Sequence, residues 1–275
     1  MVIVLGLGFT GSRLARRLLR RGIAVTAAVR GVKRFGELVQ AGLQLSELTL
    51  DHPEAMMLPR NATMAVLIPP LAEPENAGLR TLIRNVAPKR VVYVSSTGVY
   101  GDQVDVDFRA QPTPNDDRGR LRLEEERWMA AGPWSSLILR AAAIYGPGRG
   151  VHAAIREGKM PRGVGTGMVS RIHVEDLVSI SEAGLFADLE GAWPVADDEP
   201  CSSAEIAKWC AELLQLKPVM YKTPRGLLIS GRKVDGRKIR ELLGVELQYP
   251  GWRTGIIASL AEEIPQKLTK RLQLK

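Results

Sequence analysis

The stretch VIVLGLGFTG, residues 2–11, decides the fold, because a four-residue apolar run ends directly in a glycine-rich turn. A helical pattern begins at Gly11, so strand, turn and helix follow one another without a linker. In such a turn Gly6 permits the tight bend, Gly8 lets the backbone approach a pyrophosphate, and Gly11 lets the helix pack on the strand. The helix N-terminus then offers unpaired N–H groups to the phosphates. The sequence therefore predicts a dinucleotide site formed by Gly6, Gly8, Phe9, Thr10 and Gly11.

Apolar runs and helical patterns alternate through the first half of the chain. We predict strands at residues 2–5, 24–29, 64–68, 91–95 and 136–139, and helices at residues 11–21, 35–41, 76–86 and 121–131. Strands that are apolar throughout and separated by helices are typical of a parallel sheet covered on both faces. The predicted fold class is α/β, with a doubly wound parallel Rossmann sheet.

The residue composition changes after residue 146, which predicts a second, smaller lobe. Glycine- and proline-rich loops come first, followed by predicted helices at residues 202–214 and 235–243. We interpret residues 1–146 as a Rossmann domain to which residues 170–196 return. Residues 147–169 and 197–275 are predicted to form a small C-terminal substrate-binding lobe.

The composition excludes several classes of protein. The two cysteines, Cys201 and Cys210, and three scattered histidines encode neither a disulfide framework nor a metal site. The longest apolar runs are too short to span a membrane, and residue 2 already begins a strand rather than a leader. We therefore expect a cytoplasmic protein with no membrane contact.

The net charge of +8 raises the alternative of a polyanionic partner. Five arginines between residues 13 and 21 fall at helical spacing opposite leucines, however, which is typical of the solvent-facing side of an amphipathic helix. Aromatic residues that would stack on bases are not interleaved with the basic residues. Nucleic acid binding is therefore a minor alternative.

The end of the second predicted strand indicates which dinucleotide binds. An acidic residue there would accept a hydrogen bond from the ribose 2′-hydroxyl of NAD, but the position is occupied by Arg30. Lys33 and Arg34 follow, and the first acid is Glu37. Because guanidinium groups suit a 2′-phosphate, NADP(H) is predicted, with NAD(H) as the alternative.

Motifs spread along the chain resemble the extended short-chain dehydrogenase/reductase superfamily. They are GLGFTG at 6–11, VVYVSSTGVYG at 91–101, LRAAAIYGPGR at 139–149, RIHVEDLV at 171–178 and VADDEP at 195–200. The order and spacing of these motifs are most similar to those of the atypical branch of epimerase/dehydratase-like NAD(P)-binding proteins. The resemblance implies a cofactor across the strand ends and a substrate in the second lobe.

The resemblance also implies roles for individual residues. Ser96 matches the superfamily's catalytic serine or threonine, at the end of a central strand beside Ser95. Ile68 and Pro69 match the segment that lines the adenosine ribose, and residues 141–144, which include Ala142 and Ile144, match the stretch beside the nicotinamide. Tyr145 begins the loop toward the substrate. His173 matches a position that is usually structural.

The chain departs from the superfamily at the pair Tyr-x-x-x-Lys, which supplies the proton chemistry there. None of the five tyrosines has a lysine four residues later. Arg118 stands where the tyrosine is expected and Arg122 where the lysine is expected. Arg122 can still bind ribose hydroxyls. An arginine stays protonated in proteins, so Arg118 can offset the charge of an alkoxide but cannot act as an acid or base. The candidate acids that remain are Tyr100, Tyr145 and Asp102.

Three functions follow from these observations. The first is an NADP-dependent oxidoreductase or epimerase-like enzyme with a different acid, and the second is a cofactor-binding protein without turnover. The third is a polyanion-binding protein. The substrate is an unidentified small molecule, and Arg156, Lys159 and Arg162 form a basic loop that would suit an anionic one. We also expect a homodimer formed through the helices at residues 76–86 and 121–131.

Overall fold

The computed structural model describes residues 1–159, 167–216 and 231–263 of the chain. Its strands are β1 (Val2–Leu5), β2 (Val25–Val29), β3 (Gln44–Glu47), β4 (Thr63–Val66), β5 (Arg90–Ser96), β6 (Asp105–Val106), β7 (Ser135–Ala141), β8 (Ala143–Tyr145), β9 (Met168–Val169), β10 (Arg171–His173), β11 (Gly191–Val195), β12 (Cys201–Ser202) and β13 (Lys233–Val234). Its α-helices are α1 (Gly11–Arg20), α2 (Gly36–Gln40), α3 (Glu75–Val86), α4 (Asp117–Ala130), α5 (Val151–Arg156), α6 (Val174–Phe186), α7 (Ser203–Leu214), α8 (Arg237–Leu243) and α9 (Trp252–Glu263). Short 3₁₀ helices cover Val32–Arg34, Pro53–Ala55 and Thr97–Tyr100.

A parallel sheet of seven strands, in the order β11-β7-β5-β4-β1-β2-β3, organises the described residues. Strand β1 lies between β2 and β4, with Val2 paired to Val25 on one side and to Thr63 on the other. The direction of strand order reverses at β1, and open α/β sheets bind ligands beside such a reversal, at the carboxyl ends of the strands. The predicted doubly wound parallel sheet is confirmed.

The sheet packs against helices on both faces. Successive residues of its strands point in opposite directions, so a strand that is apolar throughout supplies apolar side chains to both layers. Val4 packs in the layer that contains Leu14 of α1 and Leu177 of α6. Its neighbour Ile3 packs in the opposite layer, together with Leu82 of α3. These side chains are fully buried, which explains why the strand has an uninterrupted apolar sequence.

The predicted apolar strands are observed as β1, β2, β4, β5 and β7. The two edge strands, β3 and β11, lie outside the predicted set. An edge strand has one unpaired side and tolerates polar residues. In β3 Gln44 and Glu47 are exposed, so no apolar run marks it. Helix α4 begins earlier than predicted, because the Asp116 side chain accepts a hydrogen bond from the Gly119 N–H at 2.7 Å and caps it.

A second core lies among α5, α7 and α9. Tyr145, Ile155, Ile206, Trp252 and Leu260 pack together in it, separately from the two layers of the sheet. The short pairs β8–β10, β9–β12 and β6–β13 connect this part to the sheet. The domain boundary at residue 146 stays a prediction.

The arginine face of α1 is largely exposed, as predicted, and several of its side chains are also paired within the protein. Arg13 binds Glu175 at 3.1 Å, and Arg17 and Arg21 bind Glu182 at 2.6 and 2.9 Å. The Glu182 side chain is only 4% exposed. Three of the five arginines therefore fasten α1 to α6.

Two further observations concern the described residues as a whole. Their helices are all too short or too polar to cross a membrane. Within the same ranges, no group of three or more histidine, cysteine, aspartate or glutamate side chains is arranged to hold a metal ion.

Candidate functional site

The glycine turn joins β1 to α1 with a geometry that only glycine accommodates. Gly6 has a φ of +95°, which side chains of L-residues rarely permit. A Cβ atom on Gly11 would overlap the carbonyl oxygen of Gly6, whereas a Cβ atom on Gly8 would meet nothing within 4 Å. Gly6 and Gly11 therefore shape the turn, and Gly8 leaves open space above it. The N-terminus of α1 has no capping side chain and no acid in its first turn.

Two adjoining cavities extend across this turn, and together we call them the groove. They share Gly8 and Pro69. The first, the β2 end, has a volume of about 290 Å³. The second, the β5 end, has a volume of about 460 Å³. All residues predicted to bind the cofactor line one end or the other: Gly6, Gly8, Arg30, Arg34, Ile68 and Pro69 at the β2 end, and Phe9, Thr10, Gly11, Ser95, Arg122, Ala142 and Ile144 at the β5 end.

The β2 end of the groove is basic. Arg30 follows β2, and Arg34 lies in the 3₁₀ helix after it. One guanidinium nitrogen of Arg30 donates to the Glu75 carboxylate at 2.8 Å. The residues that line the cavity itself, within the described ranges, include no acid.

Ser96 is the last residue of β5 and is half-buried at the β5 end of the groove. Its Oγ accepts a hydrogen bond of 3.2 Å from the Gly98 N–H and so caps the 3₁₀ helix that follows. A hydroxyl both donates and accepts. The backbone therefore orients Ser96 and leaves its proton available for a ligand.

Arg122 extends from α4 into the same end of the groove. Its Nη1 donates to the phenol oxygen of Tyr93 at 3.2 Å, and this contact holds the guanidinium against β5. Burial raises the pKa of Tyr93 to about 12, so the phenol stays neutral. Arg118 lies one helical turn earlier and is exposed.

Comparison with known proteins found relatives and solved structures that match most of the chain. No protein-family model matches. Protein YeeZ of Escherichia coli K12 is 29% identical over 277 aligned residues, covering 90% of this chain and 96% of YeeZ. The solved structure of a protein described as an NAD-dependent epimerase/dehydratase, from Methylobacillus flagellatus, matches with a TM-score of 0.75 and 27% identity, over 95% of this chain and 97% of that one.

The relatives that are 27% and 29% identical over at least 90% of this chain confirm the resemblance to the extended short-chain dehydrogenase/reductase superfamily. UDP-glucose 4-epimerase of Thermotoga maritima shares the fold at 19% identity, with a TM-score of 0.77, over 100% of this chain and 99% of that one. A 3-diazoavenalumate denitrifying reductase from a Streptomyces species is 31% identical over 155 residues. That match spans 50% of this chain and 51% of the reductase.

A buried ion pair that was not predicted from the sequence lies beside β5, the strand that ends at Ser96. Arg140 of β7 binds Glu126 of α4 at 2.7 Å, and both side chains are at least nine-tenths buried. Glu126 also accepts a hydrogen bond from Ser95, and Arg140 donates to the phenol of Tyr100 at 3.2 Å. The signal in the sequence was an arginine inside the apolar strand Ser135–Ala141.

The three candidate acids lie outside the lining of the groove. Tyr100 is 1% exposed and is bound to Arg140, and burial raises its pKa. Tyr145 is 3% exposed, and burial raises its pKa as well. Asp102 is exposed and accepts a hydrogen bond from Asn115 at 2.7 Å. Their roles as proton donors stay predictions.

His173 has structural contacts on both ring nitrogens. Its Nδ1 accepts from the Glu175 N–H at 3.3 Å and caps α6, and its Nε2 lies 3.2 Å from the Ser259 hydroxyl. Burial lowers its pKa to about 4, so the ring is neutral near pH 7.

The basic loop predicted to meet an anionic substrate is partly paired within the protein. Arg156 forms an ion pair with Glu263 of α9. Lys159 pairs with Glu157 at 2.8 Å. Arg162 lies outside the described residues.

Proposed function

We propose that this protein is an NADP(H)-dependent oxidoreductase of the epimerase/dehydratase-like type that acts on a small molecule. The observation that carries the proposal is that Ser96 and Arg122 line the same cavity as the glycine turn. A hydroxyl that donates a hydrogen bond and a fixed cation are the groups that a polarised substrate oxygen requires. The partial match to a denitrifying reductase supports reduction as the reaction class.

The preference for NADP(H) rests on the cations at the β2 end of the groove. Arg30 and Arg34 line that cavity, and its described lining contains no carboxylate. Guanidinium groups bind a phosphate through charge-assisted hydrogen bonds. The 2′-hydroxyl of NAD would instead need a carboxylate acceptor at this position. A relative described as NAD-dependent supports a nicotinamide dinucleotide in general.

The residues of the groove fit a dinucleotide. Gly8 leaves open space above the turn, and the uncapped N-terminus of α1 offers backbone N–H groups to phosphates. A bound NADP(H) supplies hydride chemistry. Ser96 orients the substrate oxygen, and Arg122 offsets the negative charge that develops on it.

The proton must come from outside the described lining of the β5 end. That lining contains serine, threonine and arginine as its only polar side chains, and none of them exchanges a proton readily near neutral pH. Water is one source. Tyr145 is the other source that we favour, because the resemblance places its segment, which follows Ile144, on the substrate side of the cofactor.

The same observation favours a second candidate function. A groove whose described lining holds no acid or base can bind NADP(H) and control a partner or a conformation without turnover. The two candidates differ in what happens to the bound cofactor, so they are separable by experiment.

The test combines binding with turnover. Titration of the purified protein with NADPH and NADH, followed by cofactor fluorescence, is expected to give at least about tenfold tighter binding of NADPH. The NADPH absorbance band is then followed with a panel of aldehydes and ketones. If the NADPH absorbance falls with a substrate, and the Ser96→Ala variant shows no such fall, the result supports the oxidoreductase. Tight binding with no loss supports the second candidate, and no binding of either cofactor overturns both.

A further inference from the structure

A cavity in the second lobe lies next to the β5 end of the groove. It has a volume of about 320 Å³, and Ala143 and Ile144 line both spaces. We call it the second-lobe cavity. Its walls are mainly aliphatic, with Val151, Ile206 and Ile256 among the lining residues. Only β8 separates it from the position proposed for the hydride transfer.

Two buried polar side chains line the second-lobe cavity. The phenol of Tyr145, a residue 3% exposed, has no hydrogen-bond partner among the described residues. The imidazole of His152, a residue 0% exposed, faces the Gly146 backbone and makes no hydrogen bond of normal geometry within the same residues. The nearest carboxylate to His152 is that of Glu263, whose Oε1 lies 3.6 Å from Nε2, beyond hydrogen-bond distance. A buried polar group without a hydrogen bond is unfavourable, so these atoms favour a ligand that pairs with them.

The arginine side chains around the second-lobe cavity are already bound to other groups of the protein. Arg171 lines it, but its Nη1 donates to the backbone carbonyls of Val169 and Cys201 at 2.8 and 2.5 Å. Its Nη2 donates to the Ser203 hydroxyl at 2.9 Å. Arg156, on the helix that forms one wall, is paired with Glu263. His152 is neutral near pH 7, because burial lowers its pKa to about 4.

A diphosphate would therefore find no uncommitted cation among the described residues that line this space. The volume is near the lower end of the roughly 300–1,000 Å³ that ligand pockets occupy. The cavity is similar in volume to the β2 end of the groove, so its aliphatic walls and committed cations, rather than its size, disfavour a diphosphate. The neighbour from Thermotoga maritima, in contrast, was solved with UDP-glucose.

We infer that the second-lobe cavity binds an uncharged, ring-sized and mostly apolar part of the substrate, which hydrogen-bonds to Tyr145 and His152. The inference rests on the proposed function, because it places the reacting atom of that substrate beside Ala143 and Ile144, at the β5 end of the groove. The substrate class is then a small hydroxyl- or carbonyl-bearing ring compound rather than a nucleotide sugar.

The experiment uses 4-fluorobenzyl alcohol as the probe and UDP as the contrasting ligand. Fluorine NMR of the full-length protein, without cofactor, measures binding of the probe through line broadening. We expect weak but saturable binding of the alcohol that UDP does not displace. Failure of the alcohol to bind, or its displacement by UDP, overturns the inference.

Two variants locate the binding. Ala154 is half-buried and lines the cavity, so Ala154→Leu fills part of the space. Tyr145→Phe removes one hydrogen-bonding group and keeps the ring. Each is expected to weaken probe binding by about fivefold or more. The matched control is Ala130→Leu, at the exposed end of α4, which should leave binding unchanged. Equal binding by all three variants means that the probe binds elsewhere, and overturns the inference.

NADPH binding, measured on the same samples, tests the proposed function separately. Retained NADPH binding also shows that each variant is folded. A protein that binds NADPH but not the alcohol contradicts the substrate class alone. A protein that binds the alcohol in the cavity but no NADPH contradicts the proposed function alone.

Discussion

The guanidinium of Arg30 lies 2.8 Å from a carboxylate oxygen of Glu75, although 45 residues separate the two along the chain. Arg30 follows β2, and Glu75 is the first residue of α3. Both side chains are about half exposed, so the pair itself contributes little to stability. Its effect is on binding, because Glu75 both orients Arg30 and competes with any phosphate for it.

Arg30→Asp is expected to reverse the cofactor preference. The substitution removes a cation that suits the 2′-phosphate and adds an acceptor for the ribose hydroxyl. The ratio of NADPH to NADH affinity should fall from at least about ten to about one or below. Fluorescence titration with each cofactor measures it.

Glu75→Gln is the control for that change. It releases Arg30 without altering the groove lining, so NADPH binding should strengthen by about two- to threefold and NADH binding should stay the same. Equal effects of Glu75→Gln on both cofactors would contradict a role of Arg30 at the 2′-position.

Alanine at two glycines of the turn should have different consequences. At Gly8 a methyl group meets no protein atom, so Gly8→Ala should unfold at nearly the wild-type temperature but bind NADPH about tenfold more weakly. At Gly11 the methyl group overlaps the Gly6 carbonyl oxygen, so Gly11→Ala should lower stability as well. Thermal unfolding and cofactor titration of both variants check this. Undiminished NADPH affinity in Gly8→Ala would argue against phosphates above the turn.

Removal of the Ser96 hydroxyl should slow catalysis without affecting cofactor binding. Once a substrate is known, Ser96→Ala and one of Tyr145→Phe or Tyr100→Phe are each expected to lower kcat by on the order of 10² or more. NADPH affinity should stay within about threefold. Full activity in both tyrosine variants would leave water as the proton source.

Removal of one partner from the buried pair of Glu126 and Arg140 should strongly destabilise the protein. Glu126→Ala leaves the Arg140 guanidinium buried without its partner, and breaking such a pair costs about 3–5 kcal/mol. The control is Glu124→Ala on the same helix, where the side chain is 61% exposed and binds Arg80. There the loss should be about 1 kcal/mol or less. Urea unfolding compares the two, and similar losses would contradict the assignment.

His173 should make the protein less stable in acid. Burial lowers its pKa from 6.5 to about 4, so between those values the unfolded chain binds a proton that the folded protein does not. The free energy of unfolding therefore falls as pH decreases through this window, by about 1.4 kcal/mol per pH unit from this residue.

His173→Asn isolates that contribution, because asparagine also caps helices but does not titrate. Its unfolding free energy should depend less steeply on pH between about 6.5 and 4 than that of the wild type. Other groups titrate equally in both proteins, so the difference between the two profiles belongs to His173. Parallel profiles would show that folding does not shift the pKa of His173.

The glycine turn was predictable from the sequence, because its shape depends on the backbone conformation of a few consecutive residues. A glycine turn at the end of an apolar strand specifies its φ angles and close packing locally, as at Gly6 and Gly11. Parallel strands end at one edge of the sheet, so Ser96 and Ile68 were expected near that turn, and the groove brings them there. The edge strand Gln44–Glu47 was not predictable, because half-exposed polar residues leave no apolar run.

The sequence by itself therefore determined the Rossmann class of the sheet and which turn and strand-end residues meet at the groove. Only the tertiary structure decided which side chains from distant elements meet: Arg30 with Glu75, Arg140 with Glu126, and Tyr145 with His152 around the second-lobe cavity. Backbone propensity acts over a few residues, whereas these contacts depend on how helices and loops pack over the strand ends. The same packing buries the Tyr145 phenol and the His152 imidazole in a mainly aliphatic cavity, and no local pattern in the sequence encodes that.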